Sequence, residues 1–229
     1  MEDANKKLQV KRIFDSISNH YDFLNHFLSV GIDLYWRKKA IRLSGMSPSS
    51  KLLDIACGTG DFAIAARRDG VNKIFGADLS LNMLSLFNKK VDWINGNLVE
   101  CVAEDLPFKN ETFTNISVAF GVRNFYQIPK AFKSFHRILS EKGKVTVLEF
   151  RLPTNRLVRN FYLFYFNKIL PLIGKIVSKD KEAYTYLPES VDEFDKKIEL
   201  ISIFKQCGFS KVEKYSLTLG LTQVVIAEK

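Results

Sequence analysis

Residues 51–61, KLLDIACGTGD, carry the sharpest chemical signal in the chain. An apolar strand runs into a turn holding Gly58 and Gly60 and then into a helix. Glycine reaches positive φ and carries no Cβ, so a ligand can lie against the backbone there, with the N–H groups of the helix start turned toward it. Asp78 closes a second apolar run, KIFGAD, over residues 73–78. At the carboxyl end of the neighbouring parallel strand, such an acid can accept both ribose hydroxyls of an adenosine. Asp54 stands inside the first strand, four residues before Gly58. A buried carboxylate is costly unless hydrogen-bonded, and here the loop amides and a sulfonium cofactor give a reason to keep one.

Two cofactors suit this geometry. Gly58-x-Gly60-x-x-Ala63 satisfies a dinucleotide fingerprint, which would take a nicotinamide. Asp54 tips the reading toward S-adenosylmethionine, and a turn with no ligand would leave Asp54 and Asp78 both unexplained. The order of strand, acid and glycines resembles that of the class I methyltransferases.

The elements that must hold these residues can be read from periodicity. Residues 10–43 read as helices, with a turn region around residues 19–25. Apolar runs at 51–56, 73–77, 98–102, 115–120 and 144–150 then alternate with helical segments at 61–69, 80–89 and 128–140. Strands alternating with helices imply βαβ units, so the expectation is an α/β fold with a doubly wound, mostly parallel sheet of seven strands. Segment 191–206 reads as a closing helix, and 211–217 and 221–227 as closing strands. One domain over residues 1–229 is expected: N-terminal helices 10–43, a cofactor core 51–150, a cap insertion 154–190 and the closing elements 191–229.

Lys and Arg number 34 against 25 Asp and Glu, a formal charge of +9. That favours an anionic partner: nucleic acid, a phosphorylated ligand or a lipid surface. Cys57, Cys101 and Cys207 lie far apart, which suggests neither a disulfide framework nor a zinc site and points to a reducing, cytoplasmic setting. The polar N-terminus lacks the apolar run of a secretory signal. The apolar stretch from Leu157 to Val177 is broken by Arg159, Asn167, Lys168 and Lys175 and is not read as a membrane span.

Several separated segments resemble the demethylmenaquinone and polyprenyl-benzoquinol C-methyltransferases. They are YDFLN (21–25) with LSVGI (28–32) and Trp36; FGVRN (120–124); LEF (148–150) with Pro153; and YTYL (184–187) with Ser190. The resemblance covers roughly residues 10–229. It implies C-methylation of a polyprenyl quinol by S-adenosylmethionine, demethylmenaquinol to menaquinol first. Benzoquinol methylation, or an RNA or other small-molecule methyltransferase, stays open as an alternative, although the basic-aromatic pattern of an RNA-binding module is missing and no nucleic acid is expected. It also implies that Thr59 and Asp78 bind the cofactor and that Val102 and Ala103 stand where an adenine-contacting pair belongs. The family usually has Asp or Asn where this chain has Val102, which leaves the Ala103 N–H as the adenine contact. Ala119, Asp33, Leu34, Gln127 and Arg151 also depart from the family pattern.

Ring methylation needs a carbon made electron-rich by loss of the neighbouring phenolic proton, whose pKa of ~10 must be overcome near neutral pH. Arg123 and Asn124, just past the fourth strand, are placed to do this: Arg123 stabilises the phenolate or orients a water, since an arginine is a poor base. Tyr21 is expected to close over the cofactor or to pack the N-terminal helices. His20, His26 and His136 show no spacing for a metal or a triad, and no metal is expected. In the cap, Arg156, Arg159, Lys168, Lys175 and Lys179 surround aromatic and aliphatic residues with no acid between them. Cationic and apolar faces together suit an anionic bilayer, so the cap is expected to draw an isoprenoid tail from the inner face of a membrane. A homodimer stays open.

Overall fold

The computed structural model describes residues 2–18, 22, 26, 29, 31–165 and 181–229; for residues 2–5, 181–185 and 187 it describes the backbone alone. Helices α1 (Glu2–Ile17) and α2 (Ile32–Ser44) lead into β1 (Lys51–Ile55), α3 (Asp61–Arg68), β2 (Lys73–Asp78), α4 (Leu81–Lys90), β3 (Leu98–Glu100) and β4 (Phe113–Ala119). There follow α5 (Ile128–Ile138), β5 (Leu139–Phe150), α6 (Arg156–Phe164), α7 (Lys181–Lys197), α8 (Leu200–Gln206), β6 (Lys211–Leu217) and β7 (Thr222–Glu228). The strands form one seven-stranded sheet in the order β3-β2-β1-β4-β5-β7-β6. All neighbours pair in parallel except those of β7, which runs antiparallel to β5 and to β6.

Near-continuous apolar runs make strands that are covered on both faces. Leu53 and Ile55 look toward Phe132 and Phe135 of α5 and Phe204 of α8. Leu52 looks the other way, toward Trp36 and Ile41 of α2, Phe62 of α3 and Phe87 of α4. Strand order reverses between β1 and β4, and a crevice opens at such a reversal outside the carboxyl ends of the strands.

Several boundaries differ from expectation, and β5 begins at Leu139 rather than at residue 144. Helix α1 starts at Glu2 rather than at residue 10. Helix α5 stops at Ile138, because Leu139 already pairs with Phe113 of β4. The single closing helix is two, broken at Ile198 and Glu199, where the Glu199 carboxylate accepts the Ser202 N–H at 2.8 Å and starts α8. Of the cap, α6 and the start of α7 are described, while residues 166–180, with Lys168, Lys175 and Lys179, lie outside the described residues. Among the described residues no helix is long and apolar enough to cross a membrane.

Candidate active site

The turn after β1 is built by backbone geometry. Ala56, Gly58 and Gly60 take φ of 52°, 54° and 88°. Gly60 opens α3, and a Cβ at that position would stand 2.2 Å from the Phe87 ring, so the close approach of α3 to α4 requires glycine. The Gly58 N–H donates to Asp78 Oδ2 at 2.8 Å, and the Ser80 N–H donates to Asp78 Oδ1 at 2.8 Å. Burial pushes the Asp78 carboxyl above its usual range, with these amides opposing the shift. Each carboxylate oxygen has two lone pairs, so Asp78 keeps acceptor capacity for hydroxyls.

A cleft with an empty volume of about 770 Å³, its open mouth included, lies along these strand ends. Gly58, Asp78, Val102, Ala103 and Asn124, all singled out in the sequence, line it together. Thr59 and Gly60 sit behind that wall: Thr59 is 2% exposed, and its hydroxyl donates to Asp22 Oδ1. Asp54 is buried too, and its partner is the hydroxyl of Ser117, its register neighbour on β4, at 2.6 Å, rather than an amide of the turn. Its second oxygen has no hydrogen-bond partner among the described residues. Burial raises its pKa to about 7, against the Ser117 hydroxyl and the Arg37 charge. An orphaned carboxylate oxygen behind a glycine turn, with a second buried acid closing the next strand, fits a cofactor that joins an adenosine to a positive sulfonium.

Past β4, Phe120 takes φ of 59° and the chain makes a short turn over Val122–Asn124. The Arg123 guanidinium donates to Glu149 Oε1 at 2.7 Å and to the Phe120 carbonyl at 2.5 Å, and the Arg123 N–H donates to Glu149 Oε2 at 3.3 Å. Glu149 is fully buried on β5. Arg123 thus pins the turn from behind, whereas Asn124 faces the cleft and accepts the Tyr186 hydroxyl at 2.8 Å. Burial raises the phenol pKa of Tyr186 and of Tyr162 on α6, and the Arg123 charge lowers both. Tyr21 lies outside the described residues.

Four features escaped the sequence. Helix α1 forms a wall of the cleft through Lys7, Val10, Lys11 and Phe14. It is tied down by Lys6 to the Phe125 carbonyl (2.9 Å), Lys11 to Glu100 (2.6 Å) and the Ser80 hydroxyl to Asp15. Glu104 also lines the cleft. Glu149 pairs with Arg123 from 26 positions away. Finally, His26 meets Asp33 at 2.8 Å and Asp61 at 3.7 Å in an ionic cluster that also takes in Arg37 and Lys90, and Lys90 joins it to Asp22 at 2.5 Å. His136, half-buried on α5, packs edge-on against Phe209 at 5.2 Å.

A doubly wound sheet in this strand order, with a glycine turn and a buried acid flanking one cleft, defines an S-adenosylmethionine-dependent methyltransferase. Solved structures share the fold: an S-adenosylmethionine-dependent methyltransferase of Thermotoga maritima, described as a possible histamine N-methyltransferase, superposes with a TM-score of 0.66 at 18% identity, covering 95% of this chain and 99% of that one. A putative S-adenosylmethionine-dependent methyltransferase of Methanococcus maripaludis gives 0.66 at 18%, over 94% and 93%. Within that class the chain belongs to the ubiE/COQ5 methyltransferase family, whose model it matches over residues 1–229. It is 39% identical to the demethylmenaquinone methyltransferase of Chlorobaculum parvum, covering 96% of this chain and 92% of that protein. It is equally 39% identical to the ubiquinone/menaquinone biosynthesis C-methyltransferase UbiE of Geotalea daltonii, over 96% of each.

Proposed function

We propose that the chain methylates a ring carbon of a polyprenyl quinol, converting demethylmenaquinol to menaquinol. The observation that carries this reading is near full-length identity of 39% to a demethylmenaquinone methyltransferase. Asn124, on the wall of the cleft, supports it.

Asp78 and the turn at Gly58 would hold the cofactor's ribose and chain side, and Val102 and Ala103 would flank its base. Bound S-adenosylmethionine supplies the electrophilic methyl group. The acceptor's phenolic O–H must lose its proton before the adjacent carbon can attack, and that carbon then gives up its own hydrogen as a proton to restore the ring. With its carbonyl oxygen taken by Tyr186, Asn124 offers its NH₂ to the phenolate oxygen. Arg123 acts as a positioning residue: its charge is matched by Glu149, and it fixes the turn that presents Asn124. Holding ring and methyl in line supplies much of the rate.

Helix α6 supports a membrane-drawn substrate. Leu157, Phe161 and Phe164 are 80%, 79% and 56% exposed. Their spacing puts them on one helical stripe, beside the exposed Arg156, while Tyr162 turns inward toward Arg123 and Glu149. An exposed apolar stripe edged by cations lies well at an anionic lipid surface at the inner face of a membrane. The test is the quinone pool of cells lacking this protein, read by mass spectrometry. Accumulation of a menaquinone precursor lighter by one methylene supports the reading; an unchanged naphthoquinone pool overturns it.

A further inference from the structure

On the quinol reading above, the acceptor enters the cleft as a neutral phenol and reacts as a phenolate, so a positive group should face its oxygen. Arg123 does not supply one. Its charge is matched by the fully buried Glu149 at 2.7 Å, and its guanidinium also holds the Phe120 carbonyl. Asn124 offers a neutral donor. Asp78 and Glu104, the two carboxylates lining the cleft among the described residues, have the wrong sign.

Two cations line the cleft among the described residues, and both stand on α1. Lys7, Val10, Lys11 and Phe14 recur at the three- and four-residue spacing that puts side chains on one helical face, and that face is the cleft wall. The helix runs from the acceptor side to the cofactor side. At its start Lys6 donates to the carbonyl of Phe125, the residue after Asn124, at 2.9 Å, and the helix packs on α7, which carries Tyr186. Further on, Lys11 pairs with Glu100 at 2.6 Å beside Asp78, and Asp15 accepts the Ser80 hydroxyl. Lys7, first in the stripe, therefore lies toward Asn124. Lys11 is neutralised by Glu100, and on α7 Asp192 and Glu193 are paired with Lys196 and Lys197. Lys7, exposed at the mouth, has no hydrogen bond or ion pair among the described residues.

We propose that the Lys7 ammonium meets the acceptor's phenolic oxygen from the α1 wall and stabilises the phenolate from which the ring carbon attacks. The phenolic proton leaves to water at the open mouth, and the ammonium donates one N–H to the oxygen left behind. A flexible four-carbon stem lets the charge settle on the acceptor after entry. An opposite charge within ~4–6 Å lowers an acid's pKa by about 1–3, and screening at an open mouth favours the lower end.

Turnover of reduced demethylmenaquinol by the full chain, followed against pH at saturating S-adenosylmethionine, tests this. In Lys7→Gln the midpoint at which kcat rises should move up by about one pH unit, a loss of about tenfold in kcat below it. Lys7→Arg keeps the charge and should hold the midpoint within about 0.3 of the original. Affinity for S-adenosylhomocysteine, measured by calorimetry, should change by less than about twofold in both variants. A midpoint that Lys7→Gln leaves in place, or that Lys7→Arg moves as far, overturns the proposal. So does a loss of S-adenosylhomocysteine affinity in Lys7→Gln, which would put the ammonium against the cofactor instead. If the unmodified protein binds S-adenosylhomocysteine yet leaves demethylmenaquinol untouched, the quinol reading itself fails and takes the role of Lys7 with it.

Discussion

The two halves of the cleft are held by different kinds of bond. On the side proposed for the cofactor, the two carboxylates that line the cleft among the described residues are fixed by backbone amides: Asp78 by Gly58 and Ser80, Glu104 by Tyr126 and Gln127. On the side proposed for the acceptor, pairs of side chains carry much of the hold: Arg123 with Glu149 and Asn124 with Tyr186. Amides move only if the fold moves, so the cofactor half is as rigid as the sheet beneath it. The other half can be retuned one residue at a time.

The largest effect should come from cutting the acceptor side at its root. Arg123→Ala leaves Glu149 charged and buried without its partner, and should lower stability by about 3–5 kcal/mol in denaturant titration; a loss below about 1 kcal/mol would mean that the turn does not depend on the pair. The cofactor side should instead show its dependence on charge. Because the folded protein holds the Asp54 pKa at about 7, against an ordinary 3.8, the stability this carboxyl contributes is complete below about pH 4 and fades as pH rises through 7. A bound sulfonium favours the carboxylate, so affinity for S-adenosylmethionine should rise about tenfold from pH 6 to pH 8, and Asp54→Asn should flatten that profile. A wild-type profile that is already flat would separate Asp54 from the cofactor.

Tyr186→Phe should be milder. It removes one neutral hydrogen bond from Asn124 and should lower kcat by roughly fivefold with cofactor affinity unchanged. A loss of cofactor affinity would erase the division between the halves. Smallest in stability is the double change Leu157→Ser and Phe161→Ser on the exposed stripe of α6. It should alter unfolding by no more than about 0.5 kcal/mol, yet abolish sedimentation with phosphatidylglycerol vesicles if that stripe is where lipid is met.

What the sequence disclosed follows the same division. Gly58, Gly60 and Asp78 were legible because their roles arise within one strand, one turn and the next strand, where spacing alone dictates geometry. Ser117 facing Asp54, and Glu149 facing Arg123, are pairings across strands far apart in the chain, and no local pattern announces them. Helix α1 was read too short because Glu2–Leu8 shows little apolar periodicity; it is stabilised by tertiary ties from Lys6, Lys11 and Asp15. The break before α8 was missed because glutamate is an uncommon helix cap. The sheet survived these errors, since alternation of apolar runs and helical segments is a repeated signal that no single boundary can spoil.

The tie between Lys6 and the carbonyl of Phe125 spans 119 positions. During synthesis, the first helix emerges long before the loop it must meet. A ribosome-bound chain therefore cannot finish the wall of its cleft until more than half of its length has been made. Loop-closure entropy makes so distant a contact slow to form. Donor capture should accordingly be among the last properties the maturing polypeptide acquires, arriving together with the second half of the sheet rather than with the glycine turn.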